Sequence, residues 1–253
     1  MRISIITGVR DDRAFIENCI TSVLGQGYRD VEYIVIDGGS TDGTCDVISR
    51  YRDSISKVVF EKDGGIYEAL NNGIEIATGE VVGFLHSDDL YAGKGVLEQV
   101  AEAFKRSNAD SCYGDIVYVG RENTDRVIRY WRNGQYDINR IKKGWSPAHP
   151  SLFVRKDVYK KFGKFDTRFK IAADYELKLR LLYRHRISTM YIPQVLIKMR
   201  WGGMSTRDLV SILRKSKEDY AICKRYNLPP FRTVLKKNLR KLPQFLMRQG
   251  MDE

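Results

Sequence analysis

Apolar and polar positions change period repeatedly along the first ninety residues. Ile3 to Thr7 is a short continuous apolar run of the kind a buried strand shows, whereas Ala14, Phe15, Cys19, Ile20, Val23 and Leu24 recur at helical spacing. Val31 to Asp37 reads as a second strand ending in a carboxylate. The turn-rich Gly38 to Thr44 then leads to Val47, Ile48 and Tyr51, which begin another helical stripe. A third strand is expected over Lys57 to Glu61, a loop over Lys62 to Gly65, a helix over Ile66 to Ala77 and a fourth strand over Glu80 to Leu85. This alternation predicts an α/β fold built on a mainly parallel sheet with helices on both faces.

Beyond Leu90 the alternation stops. A helix is expected over Gly95 to Lys105, strands over Ser111 to Val119 and Arg126 to Trp131, and then an irregular passage, Asn133 to Pro150, that suits a lid. Leu177, Leu181 and Leu182 continue a helix whose first turn carries Asp174 and Glu176. Acids at a helix start also complement its dipole, so capping is the structural alternative for Asp174. After Thr206, a possible N-cap, two helical stripes follow. The second holds Phe231, Val234, Leu235, Leu239 and Leu242 amid Arg232, Lys236, Lys237, Arg240 and Lys241, with Pro243 expected to end it before Phe245, Leu246 and Met247.

Charge sharpens this picture once it is located. Of the net +11, the whole excess lies between Lys198 and Arg248, where fourteen Lys and Arg face three acids; the rest of the chain is balanced. A basic amphipathic helix of this kind fits an anionic membrane surface, against the alternative of a helix packed on the domain with a solvated basic face. No recognition motif or aromatic platform points to nucleic acid. The four cysteines lack paired or metal-ligand spacing and are expected to be reduced packing residues. No run approaches the ~20 apolar residues of a spanning helix, and the apolar start is too short for a signal segment, so the expected location is cytoplasmic, peripheral on the inner face of the cell membrane.

Open α/β sheets bind ligands at the carboxyl ends of their strands. The polar residues there are Thr7, Asp37, Asp63 and the pair Asp88-Asp89. One acid at a strand end serves as a cap or turn; three on the same edge form a candidate site for a hard divalent cation, which takes one or two carboxylates together with substrate phosphates.

With these residues in view, the chain resembles a family 2 glycosyltransferase of the GT-A fold, of the type that builds bacterial surface polysaccharides. The resemblance spans about residues 1 to 205. It rests on Val35-Ile36-Asp37-Gly38-Gly39-Ser40-Thr41-Asp42, Asp63-Gly64-Gly65-Ile66-Tyr67, Phe84-Leu85-His86-Ser87-Asp88-Asp89 and Ala173-Asp174-Tyr175-Glu176. It implies a Rossmann-like sheet with a mixed extension and a C-terminal basic helical appendage, divided into a nucleotide-sugar half (1–110), an acceptor and catalytic-base half (111–205) and the tail (206–253). It also implies site roles. Thr7 and Asp37 would meet the nucleobase, Ser40 and Asp63 would line the nucleotide pocket, Asp88 would face the ribose, Asp89 would hold Mn2+ or Mg2+, and Asp174 would be the general base. His149, Tyr67 and Arg200 are further substrate-side candidates, Arg200 toward the diphosphate. The implied reaction moves a sugar, with inversion, from a nucleotide-diphosphate sugar to a glycan acceptor, one carried on a polyprenyl diphosphate in such assembly systems.

The sequence departs from the family pattern in places. Thr7-Gly8-Val9-Arg10 stands where a Pro and an aromatic-Asn pair are common, His86 where Asn or Ala is common, and Glu68 where Asp is common. Two alternatives share the sheet and its acids. A sugar nucleotidyltransferase would carry a Gly-rich, basic loop after the first strand, of which Thr7 to Asp12 is a weak version, and a non-catalytic sugar-nucleotide-binding subunit would have little use for both Asp89 and Asp174.

Overall fold

The computed structural model describes residues 1–61, 64–202 and 209–240, with the backbone alone at 209, 210 and 212. In chain order the elements are β1 (Ile3–Val9), α1 (Ile16–Leu24), β2 (Val31–Asp37), α2 (Thr44–Arg50), β3 (Lys57–Phe60), α3 (Ile66–Ile76) and β4 (Val81–Phe84). There follow β5 (Leu90–Tyr91), α4 (Val96–Ser107), β6 (Ser111–Val119), β7 (Val127–Trp131), α5 (Ile138–Lys142), β8 (Leu152–Arg155), α6 (Lys156–Phe162) and α7 (Ala173–Lys178), which runs into a π-helical turn at Leu179–Arg184. β9 (Thr189–Arg200), α8 (Leu209–Arg225) and α9 (Pro230–Leu239) complete the described chain. The N-cap expected at Thr206 and the break expected at Pro243 lie outside the described residues.

The strands form one mixed sheet in the order β3-β2-β1-β4-β8-β6-β9-β5, with β7 beside the second half of β6. β1, β2, β3 and β4 pair in parallel. β8 is antiparallel to both β4 and β6, and β9 is parallel to β6. Two reversals restore the original direction, so β6 and β9 point the same way as β1 to β4. Six strands therefore end on one edge, and antiparallel β8 begins there. That topology brings Asp37, Tyr118 and Arg200 to the same rim as the start of β8, where His149 sits.

Period-two alternation divides the apolar residues between two cores. Ile6, Ile34, Ile36, Val82 and Phe84 face one core with Tyr175, Leu177 and Ile222; Ile3, Ile5, Tyr33 and Val35 face the other with Ile16, Ile20 and Leu97. Burial of this apolar surface, at roughly 25 cal/mol per Å² removed from water, drives the packing. Gly83 lets β8 come close: a Cβ there would lie 2.5 Å from the Phe153 ring.

β5, β8 and β9 are additions that the sequence pattern did not mark. Within β9, Ile192 pairs with Gly114 and Val195 with Asp115, so Pro193 sits in a bulge where its missing N–H costs no ladder bond. The passage expected to be irregular and lid-like contains α5 and a 3-10 turn at His149–Ser151. It is tied down by buried Asn133, whose N–H donates to Asp115 Oδ1, whose Nδ2 donates to the Gly114 carbonyl and whose Oδ1 accepts from the Ala148 N–H. The Asn133 carbonyl also accepts from Trp145 Nε1 and Arg140.

Candidate active site

At the end of β2, buried Asp37 folds its own loop. Its Oδ1 accepts from the N–H groups of Gly39 and Ser40, and its Oδ2 from Ser40 Oγ at 2.5 Å. The loop after β1 is stitched to this one: the Asp11 N–H donates to Ser40 Oγ, Asp11 Oδ1 accepts from the Thr41 N–H, and the Asp12 N–H donates to Thr44 Oγ1. Asp37 and Ser40 thus shape one wall of the rim together. Asp63, expected beside them, lies outside the described residues.

Thr7 is placed differently from the expectation. β1 continues to Val9, so Thr7 lies within the strand, fully buried, with its hydroxyl accepting from Tyr33 Oη at 3.2 Å and lying 3.7 Å from Cys19 Sγ. Its side chain points into the core and has no surface to offer a nucleobase.

After β4 the chain turns through His86, Ser87 and Asp88 to Asp89. Arg200, at the end of β9, holds this turn from the far half of the sheet. Its guanidinium donates to the Asp88 carbonyl at 2.7 Å and the Arg121 carbonyl at 2.8 Å, lies 4.7 Å from the Phe15 ring centroid, and its main-chain N–H reaches Asp89 Oδ1 at 3.3 Å. Arg200, expected toward the diphosphate, is buried and bonded to the acidic turn in this way.

Asp89 is 1 % exposed, and its Oδ2 has no hydrogen-bond partner among the described residues. Burial, then the neighbouring Asp88 charge, pushes its pKa well above the carboxylate range. Asp88 is half-buried. No group of three His, Cys, Asp or Glu side chains among the described residues is arranged to hold a metal alone. The donor set nonetheless fits a divalent cation of the Mg2+ or Mn2+ type: a buried carboxylate oxygen without a hydrogen-bond partner among the described residues, beside a second carboxylate, with other ligands left to phosphate and water.

On the other side of the rim, α7 presents Asp174. Glu218 of α8 ties down the loop that enters the helix, accepting from the N–H groups of Lys170, Ile171 and Ala172 at 2.8 to 3.0 Å. Among the described residues no side chain caps α7 itself, and Asp174 lies in its first turn. Its Oδ2 accepts from buried Lys178 at 2.9 Å, and Tyr67, which donates to the Ile171 carbonyl, lies 3.5 Å from its Oδ1. Burial alone would raise this carboxyl, but Lys178, with Lys215 behind it, holds it far below the usual range and ionised.

Between the two acidic centres lie two imidazoles. His149 is 7 % exposed, its ring stacks on Phe84 and lies 5.9 Å from that of His86, and neither of its nitrogens has a hydrogen-bond partner among the described residues. Burial drives its pKa down to about 3, so it is neutral, with one N–H donor and one acceptor nitrogen for a ligand.

Two contributors escaped the sequence reading. Tyr118 of β6 has a phenol raised first by burial and then, against Arg129, by the charges of Asp89 and Asp174, so it feels both acids. Trp201 meets its ring edge-on at 5.7 Å. Asp12 hydrogen-bonds Ser87, and burial, with the Asp88 charge added, pushes it up to about 6. An aromatic near the end of a predicted strand was the signal for Tyr118; a lone Asp in a loop gave none for Asp12.

With two acidic centres facing one another across a shared sheet edge, the comparisons with known proteins are decisive. Residues 4–163 match the model of "Glycosyl transferase family 2". The chain belongs to glycosyl transferase family 2. An uncharacterized glycosyltransferase of Rickettsia typhi is 32 % identical over 210 residues, covering 78 % of this chain and 63 % of that one. A PGL/p-HBAD biosynthesis glycosyltransferase of Mycobacterium bovis is 27 % identical over 207 residues, covering 80 % and 78 %. Among solved structures, residues 1–349 of S. aureus TarS in complex with UDP-GlcNAc superpose with a TM-score of 0.69 at 19 % identity, covering 97 % of this chain and 72 % of that one. The mannosyltransferase PcManGT of Pyrobaculum calidifontis in complex with GDP-Man and Mn2+ gives 0.66 at 17 % identity, covering 97 % and 73 %. The fold of this family 2 member is accordingly GT-A, and its activity is that of a glycosyltransferase. That decides against the nucleotidyltransferase and scaffold alternatives.

Proposed function

We propose that the protein is a metal-dependent, inverting glycosyltransferase that moves a sugar, of hexosyl type, from a nucleotide-diphosphate sugar to a hydroxyl of a lipid-linked glycan in polysaccharide biosynthesis. One observation carries the reading: a buried carboxylate oxygen without a hydrogen-bond partner among the described residues, Asp89 Oδ2, and an ionised carboxylate, Asp174, both bear on the Tyr118 phenol. The nucleotide-sugar complexes of TarS and PcManGT, the latter with Mn2+, support the donor class and the ion.

In this reading residues 1–110 hold the donor and 111–205 the acceptor and base. Asp37 and Ser40 shape the nucleoside side, with Asp63, and Asp88 takes the ribose. Asp89, positioned by Arg200, would hold the cation, which supplies charge neutralisation for the departing diphosphate when bound. Asp174 accepts the proton of the acceptor hydroxyl as its oxygen bonds to the anomeric carbon from the side opposite the leaving group. The carbon–oxygen bond to the diphosphate breaks with its electron pair on the diphosphate, so the anomeric configuration inverts. Lys178 keeps Asp174 deprotonated beforehand, Tyr67 orients it, and neutral His149 offers a hydrogen bond to a sugar hydroxyl.

Thermal-shift titration with UDP-, GDP- and dTDP-sugars, with and without Mn2+, tests the reading. One donor is expected to stabilise the protein in a metal-dependent way, Asp89→Ala to abolish that shift, and Asp174→Asn to keep it while losing transfer. No stabilisation by any donor, or normal transfer by Asp174→Asn, would overturn it.

No helix among the described residues is long and apolar enough to cross a membrane. The lipid acceptor is instead reached from the surface. On α9, Thr233 is buried against the domain, while Phe231 (73 % exposed), Leu235 and Leu239 form an outward apolar stripe at four-residue spacing, flanked by Arg232, Lys236 and Arg240. An apolar stripe beside a basic one suits the boundary of an anionic bilayer. Flotation with vesicles containing phosphatidylglycerol should be lost when Phe231 and Leu235 are both changed to Glu; unchanged flotation would refute the membrane assignment.

A further inference from the structure

We propose that a second polar cavity, behind the catalytic base, is a binding site for a phosphate or diphosphate group. The cavity has a volume of about 460 Å³ and lies among the loop after α6, the outer face of α7, the π-helical turn and the end of α8. Five cations reach it, Lys164, Arg168, Arg180, Arg184 and Arg225, against two carboxylates, Asp166 and Glu176.

The carboxylates are already engaged. Asp166 pairs with Arg168 and Arg225, each at 2.7 Å; Glu176 pairs with Arg180 at 3.0 Å and Arg225 at 3.4 Å, and accepts from Tyr226 Oη at 2.6 Å. Lys164 pairs with Glu75 outside the cavity, so five cations against three carboxylates leave two positive charges over. Arg184 is exposed and forms no ion pair among the described residues, and the buried Arg180 Nε donor has no partner among them. A π-helical turn is a rare device that concentrates at functional sites, and here it carries Arg180 and Arg184 to the same cavity. Guanidinium forks match tetrahedral phosphate oxygens in pairs, which sets the ligand class above a simple counter-ion.

Position gives this site a role. Phe165, which lines the cavity, also packs its ring 5.3 Å from Tyr67, 5.4 Å from Phe84 and 5.5 Å from His149. Asn71 fixes it there through reciprocal hydrogen bonds with its main chain. Glu176 and Asp174 stand on one helix two residues apart, so they face roughly opposite ways. One aromatic ring thus separates the cavity from the reaction site. An anion held here is within reach of an acceptor whose hydroxyl lies at Asp174. The lipid-linked diphosphate of the acceptor and a free phosphate metabolite share the required chemistry. Assigning the first as the source rests on the function proposed above; the anion site itself does not.

Calorimetric titration of the full chain with inorganic pyrophosphate, in EDTA, tests the site. Saturable binding is expected in the wild type and in Asp89→Ala, weakened by about tenfold or more in Arg168→Ala/Arg184→Ala, which removes charge-assisted hydrogen bonds to the anion. Absence of saturable binding to folded wild type, loss in Asp89→Ala, or no change in the double variant would overturn it. Geranyl diphosphate in parallel assigns the source: tighter binding than pyrophosphate identifies the lipid-linked acceptor, and equal binding a free metabolite. Failure of the donor reading shows only in the metal-dependent thermal shift and leaves this titration unaffected.

Discussion

The main-chain N–H of Arg200 reaches Asp89 Oδ1 at 3.3 Å, so the last residue of β9 fixes a carboxylate 111 positions earlier in the chain. Its guanidinium fastens the preceding Asp88 carbonyl as well. Arg200→Met keeps the N–H and removes the guanidinium, leaving the Asp88 and Arg121 carbonyls without that donor. Metal-dependent donor binding is expected to weaken about tenfold or more, with a lower Tm, on the scale of one or two charged hydrogen bonds. Calorimetry with Mn2+ and the donor checks it; unchanged affinity would mean that the turn holds itself.

With Asp174 as the proposed base, Lys178 sets the acid limb of the pH–rate profile. The ammonium holds the carboxyl low, so in the wild type the base is ionised throughout the neutral and mildly acidic range. In Lys178→Met burial is less opposed, the Asp174 pKa rises, and the acid limb of kcat/KM moves to higher pH, with partial recovery as the pH is raised. An acid limb that stays in place would sever Asp174 from the rate-limiting proton transfer.

Glu32 governs stability in acid. Burial would raise its pKa, but donors from Ser4, Thr78 and Lys57 outweigh this and bring it from 4.5 to about 2. The depressed value means stabilisation that is complete above pH 4.5 and is lost as the pH falls toward 2, of about 3 kcal/mol. Denaturant unfolding between pH 2 and 6 should show that slope in the wild type and a shallower one in Glu32→Gln.

Asn133 is the fastening point of the segment before β8. Asn133→Ala removes two buried side-chain hydrogen bonds and orphans the Ala148 N–H, while the Gly114 carbonyl keeps Ser151 Oγ as its donor. A loss of about 2–4 kcal/mol is expected, with earlier proteolytic cleavage between residues 133 and 150. Wild-type resistance in the variant would show that Trp145 and Arg140 suffice.

The parallel part of the sheet was legible because each strand there is a short apolar run bounded by turns; Val31–Asp37 and Ser111–Val119 have the expected bounds. β9 was not, since Pro193 contradicts a strand until the bulge that houses it is known. The acidic strand ends were visible in sequence, but their roles depend on partners distant in the chain. Thr7 turned out to be core because β1 runs two residues further than its apolar stretch. Arg200 fastens the acidic turn and Glu218 the loop before α7, both through contacts across more than forty residues.

Asp219 of α8 lies 3.4 Å from Lys215 and 2.7 Å from Lys237 of α9, and Lys215 is one of the charges that keep Asp174 ionised. The terminal helices therefore belong to the charge balance of the proton acceptor. Shortening the chain before Lys237 leaves Asp219 with Lys215 alone, which strengthens the pull on that lysine and alters the potential felt by Asp174. Truncation therefore perturbs the charge balance around Asp174 and is not a neutral way to separate an appendage.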